Sequence, residues 1–247
     1  MNEQYLEKTE KITIGLPTRT LVAVLHLPVQ PPPWSLVVIS HGLFSSKDSP
    51  KLTELARSLA LAGWAAIRYD HMGCNESTGS LRETTFESRM EDLSAVIDSA
   101  GRDGRMSDGP ALVGSSMGGT ISLAYSGTTG GIKTVVTWAA PFAFKSLRSG
   151  APGLDHPDMA DSFYVSLNRV DLTSLLPRVN NALVIHGSDD ELVPVDQARH
   201  IFEALPPSKK LVIVDQGDHR FTRRTDLDQV FNQTIGWLHQ HFRGRVV

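Results

Sequence analysis

Five residues constrain this chain more than any others. Gly114-Ser115-Ser116-Met117-Gly118 is a G-x-S-x-G pentapeptide set between a short apolar run, Ala111-Leu112-Val113, and a helix-like segment, Gly119 to Tyr125. The pentapeptide alone is made of common turn residues and specifies little. Between a strand and a helix it predicts a sharp elbow with Ser116 at its apex, where flanking glycines are needed because a Cβ would collide with the backbone that turns the hydroxyl outward. The helix that follows brings unpaired N–H groups and the positive end of its dipole beside that hydroxyl. Ser116 is therefore a candidate nucleophile, and an oxyanion formed there would meet ready-made donors.

A serine needs a base, and a base needs an orienting acid. Ala182-Leu183-Val184-Ile185-His186-Gly187 reads as a buried strand that runs into Ser188-Asp189-Asp190-Glu191-Leu192-Val193-Pro194. Leu211-Val212-Ile213-Val214 is a second apolar run, and it empties into Gln216-Gly217-Asp218-His219. Acid and imidazole thus both fall just past the C-terminal end of a strand, the edge where open α/β sheets build their sites. Ser116, Asp190 and His219 form the candidate triad, in the chain order nucleophile, acid, histidine.

The rest of the chain alternates in the same way. Ile12 to Gly15 and Thr20 to Leu27 predict an antiparallel hairpin turning around Pro17-Thr18-Arg19. Leu36 to Ile39 is an apolar strand, and Ser49-Pro50 opens a helix with Leu52, Leu55, Ala56 and Leu59 on one face, closed by Gly63. A strand from Trp64 to Asp70 precedes a helix carrying Phe86, Met90, Leu93 and Ile97 before Gly101. Strands that are apolar throughout, separated by helices, predict an α/β fold with a mostly parallel sheet covered on both faces. The 247 residues are expected to form a single domain. Only the stretch from about Phe144 to Arg178 is too long for a simple connection and is expected to form a small lid.

Composition excludes several classes. A hydrophobic fraction of 40% with 21% charged residues is that of an ordinary globular domain. A net charge of −3 offers no basic field for nucleic acid or an acidic membrane surface. No apolar run approaches the roughly 18 residues of a membrane span, and Met1 to Lys8 is polar, unlike a signal peptide. With one cysteine, Cys74, no internal disulfide can form. The expected location is cytoplasmic. His239 and His241 are two apart on a helix and point in different directions, so no metal site is expected. Cys74 has no placed base and is read as packing.

Taken together these segments resemble the α/β-hydrolase superfamily from about Leu21 to the C-terminal helix. His41-Gly42-Leu43-Phe44 resembles the family's oxyanion loop, and Arg68 to Ser77 its R-x-D-x-x-G-x-x-x-S turn. His186 to Pro194 is similar to its H-G-x-x-D-x-x-V-P acid loop, a frame that selects Asp190 over Asp189, and Gly217-Asp218-His219 to its G-x-H ending. The short chain and the H-G-x-x-x-S-K opening most resemble small bacterial carboxylesterases, cinnamoyl-ester hydrolases and acyl-peptidase-like hydrolases. Ser115, where many relatives have histidine, and His71-Met72-Gly73-Cys74-Asn75 after Asp70 depart from the pattern without removing a catalytic group. They loosen the tie to one subfamily and its substrate.

The resemblance implies an α/β-hydrolase fold and a serine esterase without cofactor. His219 takes the Ser116 proton, Asp190 holds the imidazole, and the backbone N–H groups of Leu43 and Met117 receive the oxyanion. His41 and His186 are expected to be structural, Arg68 and Asp70 to brace the oxyanion loop, and Asp189 to be a loop residue. Phe44, Phe163, Tyr164 and Leu167 are the candidate substrate contacts, on the premise that an apolar pocket with a few polar anchors forms under the lid. The expected substrate is a small-molecule ester of a small acyl or aryl acid, with hydroxycinnamoyl esters as the most specific case. A peptidase or thioesterase would use the same machinery, and a ligand-binding protein would share only the fold.

Overall fold

A computed structural model describes residues 8–107, 109–144 and 159–242. Among them, eight strands form one sheet: β1 (Lys8–Gly15), β2 (Thr20–Leu27), β3 (Leu36–Ser40), β4 (Ala65–Tyr69), β5 (Ala111–Ser115), β6 (Thr134–Trp138), β7 (Ala182–Gly187) and β8 (Lys209–Val214). Their spatial order is β1-β2-β4-β3-β5-β6-β7-β8. β1 and β2 pair antiparallel, β2 joins β4 antiparallel, and every pairing from β4 to β8 is parallel. β1 begins four residues earlier than expected. Its polar first half, Lys8 to Lys11, pairs with the end of β2, because an edge strand gains ladder hydrogen bonds while its side chains stay in water.

Helices cover both faces. α1 (Pro50–Leu61) and α7 (Arg224–His241) pack on one side, and α2 (Phe86–Gly101), α3 (Met117–Thr129), α4 (Asp161–Leu167), α5 (Leu172–Leu175) and α6 (Asp196–Ala204) on the other. The strands divide their residues accordingly: Leu36 and Val38 enter the α2–α3 side, while Val37 and Ile39 meet α1 and α7. This two-sided burial is why β3 to β7 read as continuous apolar runs rather than as alternation.

Each helix follows its local chemistry. Pro50 at the first position suits α1, since its missing N–H would have no intrahelical partner there. Leu52, Leu55, Ala56 and Leu59 are buried as their spacing predicts. α2 opens on a reciprocal cap, Thr85 Oγ1 accepting from Ser88 N at 3.0 Å and Ser88 Oγ from Thr85 N at 2.9 Å. Its buried stripe is Phe86, Arg89, Leu93, Val96 and Ala100 with Asp92, one position away from the expected Met90 and Ile97, which are only partly buried. The stripe therefore carries two charged residues that an apolar reading passes over.

Of the segment from Phe144 to Arg178, residues 145–158 lie outside the described residues. The remainder is packed on the body of the fold. Phe163, Leu167, Leu172 and Leu176 join the core on the α2–α3 side. Ser166 Oγ accepts from Phe86 N at 2.9 Å, tying α4 to the start of α2. Gly127 of α3 leaves no room for a Cβ against the Leu175 backbone, so α5 lies directly on α3.

The chain runs from β3 outward to β4 and then returns to β5 on the other side of β3. A crevice opens at the C-terminal ends of strands where the order reverses. Gly42, Leu43 and Ser116 all lie at that point.

Candidate active site

Ser116 caps α3 at φ +53° and ψ −123°, a left-handed backbone that costs a serine of order 1–3 kcal/mol. The surroundings hold it there. Ser116 N donates to Trp138 O at 2.7 Å, and Ser116 O accepts from Gly119 N at 2.8 Å. A Cβ on Gly114 would meet the backbone of Gly118, and one on Gly118 would meet the carbonyls of Ser40 and His41. The elbow is thus wedged between the ends of β5 and β3, and the glycines of the pentapeptide are what let it fit. α3 is buried on nearly every side, which its small residues permit, and the hydroxyls of Thr120 and Ser122 find carbonyls at Pro141 and Gly118.

His219 Nε2 lies 3.1 Å from Ser116 Oγ. Its Nδ1 lies 3.0 Å and 2.8 Å from the two Asp190 oxygens. The carboxylate has no solvent exposure. Asp190 Oδ1 also accepts the backbone N–H groups of Leu192 at 3.0 Å and Val193 at 2.7 Å. Burial alone would raise this carboxyl, yet hydrogen bonds from His186 and His219 and the nearby His219 charge hold it well below the ordinary carboxylate range. Asp189 is exposed and takes the Ser188 hydroxyl at 2.9 Å. His186, expected to bond only nearby backbone, directs Nε2 to Val193 O at 2.8 Å and also to Asp190 Oδ2 at 3.1 Å.

Beside the elbow, Met117 is the first residue of α3 and its N–H precedes the helical ladder. The N–H of Leu43 likewise meets no acceptor among the described residues. The loop carrying Leu43 is braced from below. Asp70 Oδ1 accepts Lys47 N at 2.7 Å, and its Oδ2 pairs with the buried Lys47 ammonium at 2.9 Å. Burial works against that ammonium, but hydrogen bonds to Asp48, Glu76 and Asp70 hold it charged to well above the usual lysine range. Arg68 donates to Lys47 O at 2.8 Å and to Asp48 Oδ1 at 2.6 Å.

A second buried network lies behind the loop, and sequence reasoning passed over most of it. His41 Nδ1 lies 2.7 Å from Gly42 O while Nε2 accepts His71 N at 3.1 Å, a pattern that assigns the proton to Nδ1. His71 Nδ1 is 3.2 Å from Asp92 Oδ2, which also takes Met72 N at 2.9 Å. Arg19 Nε reaches Asp92 Oδ1 at 2.7 Å. Burial pushes His71 down to about 4 and His41 well below the usual histidine range, so both rings are neutral near pH 7. The available signal was the position of Asp92 and Arg89 on the inward stripe of α2.

The four candidate substrate contacts are placed unequally. Phe44 is 43% exposed, Tyr164 is half-buried, Leu167 is buried and Phe163 is fully enclosed. Cys74 is buried, and that burial raises its thiol. His239 rests on Trp64 with ring centres 4.5 Å apart and His241 on Trp237 at 3.8 Å, so the two imidazoles face different tryptophans. Among the described residues no helix is long and apolar enough to cross a membrane.

Comparisons with known proteins agree with this architecture. The chain is similar to the palmitoyl-protein thioesterase ABHD10, mitochondrial, of Mus musculus, 22% identical over 222 residues that span 77% of this chain and 71% of that one. Among solved structures, the esterase domain of a Rhodothermus marinus protein has 25% identity and a TM-score of 0.75 over 95% of this chain and 99% of that chain. Est1E from Butyrivibrio proteoclasticus with ferulic acid bound has 20% identity and a TM-score of 0.83, covering 93% and 98%. The model of the alpha/beta hydrolase fold matches residues 35–178, more than half of the chain and inclusive of Leu43 and Ser116. With the sheet order, the elbow and this match together, the chain belongs to the α/β hydrolase fold family.

Proposed function

We propose that this chain is a serine hydrolase that cleaves carboxylic esters of small acyl or aryl acids through an acyl-enzyme. The observation that carries the reading is the unbroken relay from Ser116 Oγ to His219 Nε2 at 3.1 Å and from His219 Nδ1 to Asp190 at 2.8 Å. Ser116 Oγ attacks the carbonyl carbon, its proton passes to His219 Nε2, and the carbonyl electron pair moves onto oxygen. The N–H groups of Leu43 and Met117 receive that oxyanion, each donor being worth about 3 kcal/mol of barrier. Collapse expels the alcohol, which takes the proton from His219, and water repeats the cycle on the acyl-enzyme. Asp190, anionic across the neutral range, keeps Nδ1 protonated and stabilises the imidazolium.

Phe44, the exposed aromatic next to Leu43 in the chain, lines the acyl pocket in this reading, and the half-buried Tyr164 adds a polar-tipped contact. Phe163 and Leu167 support that wall from the core. Hydroxycinnamoyl esters are the specific substrate class tested first, a choice supported by the ferulic acid bound to the structurally similar Est1E. Location in the cytoplasm belongs to the same reading and is supported by a single, buried cysteine.

The test is labelling by a small fluorophosphonate followed by an ester panel varied separately in acyl and alcohol parts. Stoichiometric labelling lost in Ser116→Ala, with turnover of at least some esters, supports the reading. A folded protein that neither labels nor turns over any ester is a binding protein, and the proposal fails. A second reading, thioester hydrolysis, is favoured by the name of the mouse relative. A matched oxygen ester and thioester of one acyl group decide between the two by kcat/KM.

A further inference from the structure

Arg89 of α2 is fully buried, yet among the described residues it forms no ion pair. Its Nη2 lies 3.5 Å from Leu43 O and 3.8 Å from Cys74 Sγ. Nε and Nη1 meet no hydrogen-bond partner among the described residues. Asp92, one turn further along the helix, is occupied by Arg19, His71 and the Met72 N–H. Burial keeps the neighbouring His41 and His71 neutral, and the Arg89 charge works in the same direction on both. A full positive charge therefore stands behind the loop that carries Leu43, and among the described residues it meets only a weak contact to a carbonyl and a thiol.

A buried cation with no carboxylate beside it among the described residues is costly, because little there compensates its lost hydration. Arginine cannot relieve that cost by giving up its proton. The reaction proposed for Ser116 does create a matching charge at the loop. When the Ser116 Oγ–carbon bond forms, the carbonyl electron pair becomes an oxyanion at the Leu43 N–H.

We propose that Arg89 is a positioning residue for the oxyanion loop, steering Leu43 through its carbonyl and favouring, through its buried charge, the tetrahedral intermediate over the ground-state ester. This rests on the reading of Ser116 as the nucleophile. Stabilisation of this kind is differential: the charge gains an anionic counterpart in the transition state that the described residues do not supply at rest, so it acts on kcat rather than on KM. Side-chain packing would predict no such distinction.

The experiment measures kcat and KM on p-nitrophenyl acetate and the inhibition constant of an alkyl trifluoromethyl ketone, which forms a tetrahedral oxyanion on the serine. Wild type, Ser116→Ala, Arg89→Met and Arg89→Lys are compared after circular dichroism has shown them folded. Arg89→Met is expected to lower kcat by about 10- to 100-fold and to weaken the trifluoromethyl ketone in proportion, with KM changed by less than about threefold. Arg89→Lys, which keeps the charge, is expected to retain most of kcat. Unchanged kcat and inhibition in folded Arg89→Met, or a loss confined to KM, overturns the proposal. If Arg89→Met does not fold, Arg89→Lys and Arg89→Gln carry the same test: Lys must exceed Gln in kcat at similar KM, and an equal loss in both overturns it. Retained turnover in Ser116→Ala is a separate result, and it strikes down the nucleophile reading itself.

Discussion

His186 Nε2 lies 3.1 Å from Asp190 Oδ2, the same oxygen that takes His219 Nδ1 at 2.8 Å. Two imidazoles from different strand ends thus converge on one buried carboxylate. Removing the first donor leaves the charge under-solvated. His186→Phe is expected to lose about 2 kcal/mol of stability, read from urea unfolding. It is also expected to lower kcat by about tenfold, since the Asp190 carboxylate is then free to swing off the His219 axis. A variant with wild-type kcat would mean that the two backbone donors suffice to hold the carboxylate.

Ser115 and Ser116 are neighbours with opposite fates. Ser115 ends β5 as a buried strand residue, whereas Ser116 stands on the elbow facing His219. Ser116→Ala is expected to lower kcat by at least about 10⁴-fold and abolish fluorophosphonate labelling, while Ser115→Ala keeps labelling. Mass spectrometry of the labelled peptide checks the assignment, and a label on Ser115 would reverse it.

The two aspartates separate in the same way. Asp190→Asn leaves the shape of the loop but favours the wrong imidazole tautomer, and an expected fall in kcat of about 10⁴-fold follows. Asp189→Asn, at an exposed position, is expected to stay within about threefold. Steady-state kinetics of both variants against wild type measures the contrast.

Stability is expected to fall on acidification through a window set by the buried histidines. An unfolded histidine titrates near 6.5, and folded His71 is pushed down to about 4 by burial, with Arg89 acting in the same direction. Between those values the unfolded chain takes up a proton that the folded chain refuses, so stability is full above about pH 6.5 and declines toward pH 4. The change is on the order of 3 kcal/mol for His71, and His41 adds in the same direction. Urea midpoints measured across that range should slope upward with pH, and His71→Asn should flatten the slope. Equal midpoints at pH 4.5 and 6.5 in wild type would refute the assignment.

Phe163 is wholly enclosed in the core on the α2–α3 side. Phe163→Ala is expected to destabilise by about 3–5 kcal/mol in calorimetry or chemical unfolding. Phe44→Ala, at an exposed site, should leave stability nearly unchanged and shift relative kcat/KM across acyl chains. Identical effects of the two substitutions on stability would place Phe44 in the scaffold.

What the amino-acid order determined by itself is local or periodic. Continuous apolar runs separated by helical stripes specify a parallel sheet with two covered faces. The small residues of Gly114 to Gly118 specify an elbow, because only there does the backbone of Gly118 pass against β3. The strand ends carrying Ser116, Asp190 and His219 were legible for the same reason: each closes a hydrophobic run and begins a loop.

Partnership was decided by the tertiary structure. Periodicity reports which side of a helix is buried but not what it meets, so the α2 stripe did not disclose that Arg19, 73 residues away, would pair with Asp92, or that Arg89 would reach Leu43 O with no ion pair among the described residues. The candidate triad spans 103 residues from Ser116 to His219. Its hydrogen bonds exist because β5, β7 and β8 run parallel and end at one edge of the sheet, bringing three loops to one place. A buried charge takes its chemical meaning from its neighbours, and those neighbours are assembled only by the sheet order.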